Sequence, residues 1–185
     1  MIVPASGDHA SMFEGVAKHL KKKVYKGNAR VLRATVETGK GGHVVVTFAT
    51  TRGARFSWDE VKNLKSVITI SHGGPNDGPN MNAGSGEESS QPWGRATLDG
   101  GSGFSNNAIQ FWKLIAGELK PTGKIILVGC SMGTDTYAAD VAMLTRRRVY
   151  ASDGLFAAAN VDTTAAHVRA IENGHVTRPM KLFRP

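Results

Sequence analysis

Two short stretches of this chain set apolar residues at adjoining positions, and not only at every second or third one. They are Ser66-Val-Ile-Thr-Ile-Ser-His72 and Lys124-Ile-Ile-Leu-Val-Gly-Cys130. An unbroken apolar run with β-branched residues, bounded by glycines, predicts a strand buried on both faces, as a parallel sheet covered by helices requires. Other segments repeat with a helical period. Phe13, Val16, Ala17 and Leu20 predict a helix over Met12 to Lys23, with lysines at its C-terminal end where cations suit the helix dipole. Ile109, Trp112, Ile115 and Leu119 predict another over 106–119, stopped by Pro121 and Gly123. Further helices are expected over Thr134 to Leu144 and Thr163 to Glu172, with a strand at Arg148 to Ser152 between them. Ala29 to Thr38 and His43 to Thr50 are rich in Val and Thr and flank Gly39-Lys-Gly-Gly42, which predicts two strands joined by a tight turn.

The alternation of strands and helices after residue 57 predicts an α/β fold, a three-layer sandwich with a mainly parallel central sheet. The early hairpin adds antiparallel strands at one edge. Residues 1–11 are small and polar and are expected to form a loose lead-in to one domain spanning 1–185. Ser57 and Glu60 have capping-box spacing and predict a short helix through about Lys65. From Gly73 to Phe104 the chain turns to Gly, Pro, Asn and Ser with no sustained apolar period. A connection this long is usually functional, so it is expected to be a structureless loop gating the edge where it begins. Asp77 within it is a turn former. The end, Arg178 to Pro185, is expected to be extended and to pack Met180 and Phe183 on the body.

Composition narrows the classes. No apolar run approaches the roughly 18 residues of a membrane span, and Met1 to Ala10 lacks the basic and apolar regions of a signal peptide. The single cysteine excludes an internal disulfide and a multi-cysteine zinc site. No cofactor is expected. The net charge of +8 would suit an anionic partner, and much of it lies between Lys18 and Lys65 and at Arg146 to Arg148. No nucleic-acid module accompanies that charge, so it reads as a solvated face and nucleic acid is not the expected partner.

Both buried-type strands end in chemistry: one in His72-Gly-Gly, the other in Gly129-Cys130. In open α/β sheets ligands bind at the carboxyl ends of the strands. A free thiol has a pKa of about 8.5, and a neighbouring imidazole makes the thiolate accessible near neutrality. A lone cysteine in an apolar strand is ordinarily a small core residue; the histidine at the matching position makes Cys130 a candidate nucleophile. A rival uses the same stretch. Gly129-Cys-Ser131-Met-Gly133 fits the Gly-x-Ser-x-Gly elbow of α/β-hydrolases, and His72-Gly-Gly74 fits a lipase oxyanion loop. Ser131 would then need Asp153 or Asp162, followed by His167 or His175. That fold also needs a further strand between oxyanion loop and elbow, for which residues 73–123 offer only loop and helix. In a third reading the chain is a basic binding module without catalysis, with Cys130 merely buried. His43, His167 and His175 have no metal-ligand spacing and read as surface or cap residues.

The stretch from Ile68-Thr-Ile-Ser-His72-Gly73 to Ile126-Leu-Val-Gly129-Cys130 resembles the caspase-like (clan CD) cysteine peptidases, the group holding caspases, gingipains, separase and the bacterial CHAT domains. Tyr137 to Ser152 also resembles caspase-like domains at the C-termini of bacterial polymorphic toxins. The resemblance covers roughly residues 64–153 and implies His72 as general base, Cys130 as nucleophile and the backbone amides of Gly73 and Cys130 as oxyanion hole. It implies a protein or peptide substrate, with Asp153 the candidate for recognising a basic P1 side chain. It further implies an effector delivered into a target cell and restrained by an immunity protein. Gly129 and Ser131 depart from many relatives, and no specificity arginine of the caspase kind is assignable.

Overall fold

The computed structural model describes residues 1–5, 10–38, 44–56, 61–74, 78–80, 95–98, 101–104, 106–134, 136–154 and 160–185. In chain order the elements are β1 (Ile2–Pro4), α1 (Ala10–Lys23), β2 (Leu32–Thr38), β3 (Val44–Thr50), β4 (Arg55–Phe56) and β5 (Leu64–Ile70). Next come β6 (His72–Gly74), β7 (Gly78–Asn80), β8 (Arg95–Leu98), β9 (Gly101–Phe104) and α2 (Asn106–Glu118). The last are β10 (Leu119–Val128), α3 (Tyr137–Thr145), β11 (Arg148–Ser152), α4 (Val161–Glu172) and β12 (Met180–Phe183).

The main sheet has the order β1-β5-β10-β11-β12. Its first four strands are parallel and β12 is antiparallel to β11. Each parallel neighbour is reached through a crossover containing a helix, because a tight hairpin cannot join parallel strands. Ile68, Thr69 and Ile70 on β5 and Ile125 through Val128 on β10 are all buried. Successive side chains point to opposite faces, so burial at consecutive positions means that both faces are covered. The expected three-layer α/β sandwich is therefore the one observed. α1 packs with α4 and α2 with α3, giving a helical pair to each face. Phe13, Val16, Ala17 and Leu20 are the buried stripe of α1, as their spacing predicts. The indole of Trp112 donates to the Tyr137 hydroxyl at 3.0 Å, tying α2 to α3 without leaving a buried polar group unpaired.

Three expectations change. Ile2–Pro4 does not belong to a loose lead-in: it is the outer parallel strand, in register Ile2↔Ile68, with Ile2 and Val3 fully buried. Three residues are too few to show a period. The early hairpin is present but forms its own antiparallel sheet, β2-β3-β4, beside β1. Arg33 on β2 donates to Glu14 on α1 at 2.7 Å, and Phe48 on β3 lies 6.5 Å from Phe111 on α2, which fix that sheet to the helices. The stretch 73–104 is not structureless throughout, since β6 pairs with β7 and β8 with β9. β6, β7 and β9 are too rich in Gly to reveal alternation, and β8 is only four residues long. The turn expected at 39–42, His43, the Ser57 and Glu60 capping box and Asp77 lie outside the described residues, but the short helix expected through about Lys65 is not present over 61–65, where Leu64 and Lys65 already belong to β5. At the other end Met180 is buried and Phe183 packs partly against the core, as expected. Among the described residues no helix is long and apolar enough to cross a membrane.

Candidate active site

β5 and β10 run side by side in the register Ile68↔Ile126 and Ile70↔Val128, so they end level. The next residues are Ser71-His72 on one strand and Gly129-Cys130 on the other, and the Ser71 amide donates to the Val128 carbonyl at 3.1 Å. Beyond that bond the two chains come closer than side chains would permit. A Cβ at Gly129 would lie 2.8 Å from the Ser71 carbonyl oxygen and 3.6 Å from the His72 carbonyl carbon. At Gly73 it would lie 3.0 Å from the Cys130 carbonyl oxygen. Glycine is the residue that allows such an approach. The fold thus brings His72-Gly73 and Gly129-Cys130 into backbone contact at the carboxyl edge of the sheet. His72 is exposed, and its ring meets the buried Phe13 of α1 edge-on, with centroids 5.0 Å apart and planes at 84°. Cys130 is a free thiol, half-buried. Phe13 is a site neighbour that sequence reasoning missed; its only sequence signal is its place in the apolar stripe of α1.

After Cys130 the chain turns and is held to the end of β11. The Ser131 amide donates to the Gly154 carbonyl at 2.9 Å, and the Gly133 amide to the Ser152 carbonyl at 2.6 Å. The Ser152 hydroxyl donates to the Gly129 carbonyl. These bonds commit the Ser131 and Gly133 amides to the β11 side, and the Thr134 amide closes a tight turn on the Ser131 carbonyl at 3.2 Å, so the helix expected from Thr134 starts only at Tyr137. Within the turn Ser131 has φ +51°, a conformation that costs a non-glycine residue of order 1 kcal/mol or more. Its carbonyl accepts from the Thr134 hydroxyl at 2.7 Å.

Asp153 lies on the β11 side of this turn. Its carboxylate is 2.9 Å from the Lys181 ammonium, with the Asp153 side chain about one-third exposed. The partners expected for Ser131 are otherwise engaged. Asp162 is 2.9 Å from His19 Nε2, and His167 Nδ1 is 2.8 Å from the Thr177 hydroxyl oxygen. Burial holds the His167 imidazole below its ordinary value of 6.5. His175 follows α4, whose last turn meets Lys124 on β10, paired with Ser66 near the start of β5, with Lys124 donating to the Ile171 carbonyl at 3.0 Å. That is the opposite end of the sheet from Ser131. Among the described residues no three His, Cys, Asp or Glu side chains converge as metal ligands.

No family model and no curated protein matches the sequence. Among solved structures the fold is similar to the X-ray structure of a secreted C11 cysteine protease from Bacteroides thetaiotaomicron, "iotapain", with 13% identity and a TM-score of 0.38. The match covers 89% of this chain and 55% of that one, so this chain spans about half the length of the protease. A superposition this loose assigns no residue of one chain to a residue of the other.

Proposed function

We propose that the chain is a cysteine endopeptidase of caspase-like architecture in which His72 serves Cys130. The observation that carries this reading is the backbone contact between the His72-Gly73 and Gly129-Cys130 turns at the carboxyl edge of a parallel sheet. In the reaction His72 takes the thiol proton and the Cys130 sulfur attacks the scissile carbonyl. The oxyanion accepts hydrogen bonds from the amides of Gly73 and Cys130. His72 then protonates the leaving amine, and water, deprotonated by His72, hydrolyses the thioester. No cofactor is required. In this reading a basic P1 side chain would reach Asp153 by exchanging with Lys181, which already provides that carboxylate with an ammonium.

Cys130→Ala should lower cleavage of an unfolded protein substrate by about a thousandfold or more, while Ser131→Ala keeps most of it. The strained φ of Ser131 favours a second reading, since a nucleophile elbow holds its serine in such a turn. The reverse pattern of the two variants would transfer the assignment to Ser131. We further propose that the domain acts as an effector inside a target cell and is restrained by an immunity protein in the producer. Wild type should arrest growth when expressed in a naive cytoplasm and Cys130→Ala should not; equal growth contradicts the effector role.

A further inference from the structure

Away from Cys130, towards the amino-terminal end of the sheet, two clefts share one residue, Arg30. One, of about 560 Å³, opens between the end of α1, the start of β5 and the last turn of α4. The other, of about 410 Å³, lies between α1 and the β2–β4 sheet. Around Arg30 the first is lined by Lys62, Lys65 and Arg169, and the second by Lys18, Lys21 and Arg52. Among the described lining residues the single carboxylate is Glu172. It is already engaged, accepting from the Tyr25 hydroxyl at 2.8 Å and lying 3.4 Å from the Lys124 ammonium. Lys18 is 3.9 Å from Glu14, but its side chain is 67% exposed, so that pair is screened and neutralises little. Between these cations the floor is apolar: Val61 and Leu64 in the first cleft, Leu32 and Phe56 in the second.

We propose that the paired clefts bind an acidic, partly apolar polypeptide segment of a partner protein. Its apolar side chains enter the floors, and its carboxylates meet the cationic rims, the division of labour found across protein interfaces. The charge alone would also attract nucleic acid, and the geometry decides against it. Single strands bind by stacking bases on open aromatic faces. The Phe56 ring already carries the Arg30 guanidinium 4.8 Å from its centroid, and the Tyr25 hydroxyl is tied to Glu172. Duplexes are read by an element that protrudes into a groove, whereas these sites are recessed. The cations around the two clefts would steer an acidic partner toward them.

The clefts lie away from Cys130, so binding can be read in Cys130→Ala without cleavage of the probe, and the result is independent of the peptidase reading. Fluorescence anisotropy would follow a labelled short peptide of glutamates with interspersed leucines, its glutamine counterpart, and a single-stranded oligonucleotide of equal charge. The glutamate peptide should bind saturably and more tightly than either control. Arg52→Glu with Lys62→Glu should weaken it about tenfold, equivalent to about 1.4 kcal/mol. Lys113→Glu, an exposed charge reversal on α2, should change it less than about twofold. All three substituted positions are exposed, and unchanged circular dichroism would confirm folding. Tighter binding of the oligonucleotide overturns the proposal, as does peptide binding that is absent or equally sensitive to Lys113→Glu.

Discussion

At the carboxyl edge of the sheet the decisive contacts run from backbone to backbone, and the residues making them are small: Gly73, Gly129 and Gly133 each approach a carbonyl of a neighbouring strand or turn. At the amino edge they run from side chain to side chain, and the residues are long and polar: Tyr25 and Lys124 both reach Glu172. The comparison separates two uses of one sheet. Small residues let the chain ends carrying His72 and Cys130 lie against each other. The Glu172 cluster satisfies its own charges and holds α4 to β10 and to the chain after α1. Burial, and secondarily the Glu172 carboxylate, push the Tyr25 phenol far above its ordinary value, so this hydrogen bond does not titrate in the working range. Changes at the carboxyl edge should therefore reach the proposed catalysis, and changes within the Glu172 cluster should cost stability while leaving that catalysis intact.

The largest stability effect is expected at Gly129→Ala. The new methyl would lie 2.8 Å from the Ser71 carbonyl, which belongs to the backbone and cannot rotate away. Denaturant unfolding should show a loss of about 1–3 kcal/mol, accompanied by loss of peptidase activity as His72 and Cys130 are pushed apart. Glu172→Gln comes next. Lys124, whose side chain is only 13% exposed, loses its anionic partner but keeps carbonyl acceptors, so about 1–2 kcal/mol should be lost with kcat/KM unchanged. A fall in kcat/KM at full stability would show that the edges are coupled. The smallest effect concerns His167. Its folded value is depressed below 6.5, so the unfolded chain binds the proton more readily. Stability should fall as pH drops below 6.5 through the folded value, and His167→Gln should reduce that fall in a series of melting curves.

What the sequence revealed follows from how many residues carried each signal. The buried strands β5 and β10, the hairpin β2–β3 and the helices α2 and α4 were legible because each shows a period or an unbroken apolar run over several residues. β1 was hidden because Ile2–Pro4 is three residues long, and its strand character comes from Ile68 to Ile70 beside it. β6, β7 and β9 were hidden because their glycines, Pro79 and Asn80 carry little face to alternate, and β8, Arg95–Leu98, because four residues are too few to show a period. That His72 and Cys130 end neighbouring strands was legible because both close buried strands, and the level ends follow from the register Ile70↔Val128. Phe13 against His72 and Lys181 against Asp153 were not legible, since each joins elements far apart in the chain.

The central claim is that His72 acts on the Cys130 thiol across the gap between two strand ends. Its most direct measure is the rate at which iodoacetamide alkylates Cys130 at neutral pH, compared with a free cysteine peptide and with His72→Ala. The pairing predicts that Cys130 reacts faster than the free peptide and that His72→Ala slows it by about tenfold or more. A thiol that reacts no faster than the free peptide, at a rate His72→Ala leaves unchanged, would contradict the pairing and leave Cys130 a residue of the core.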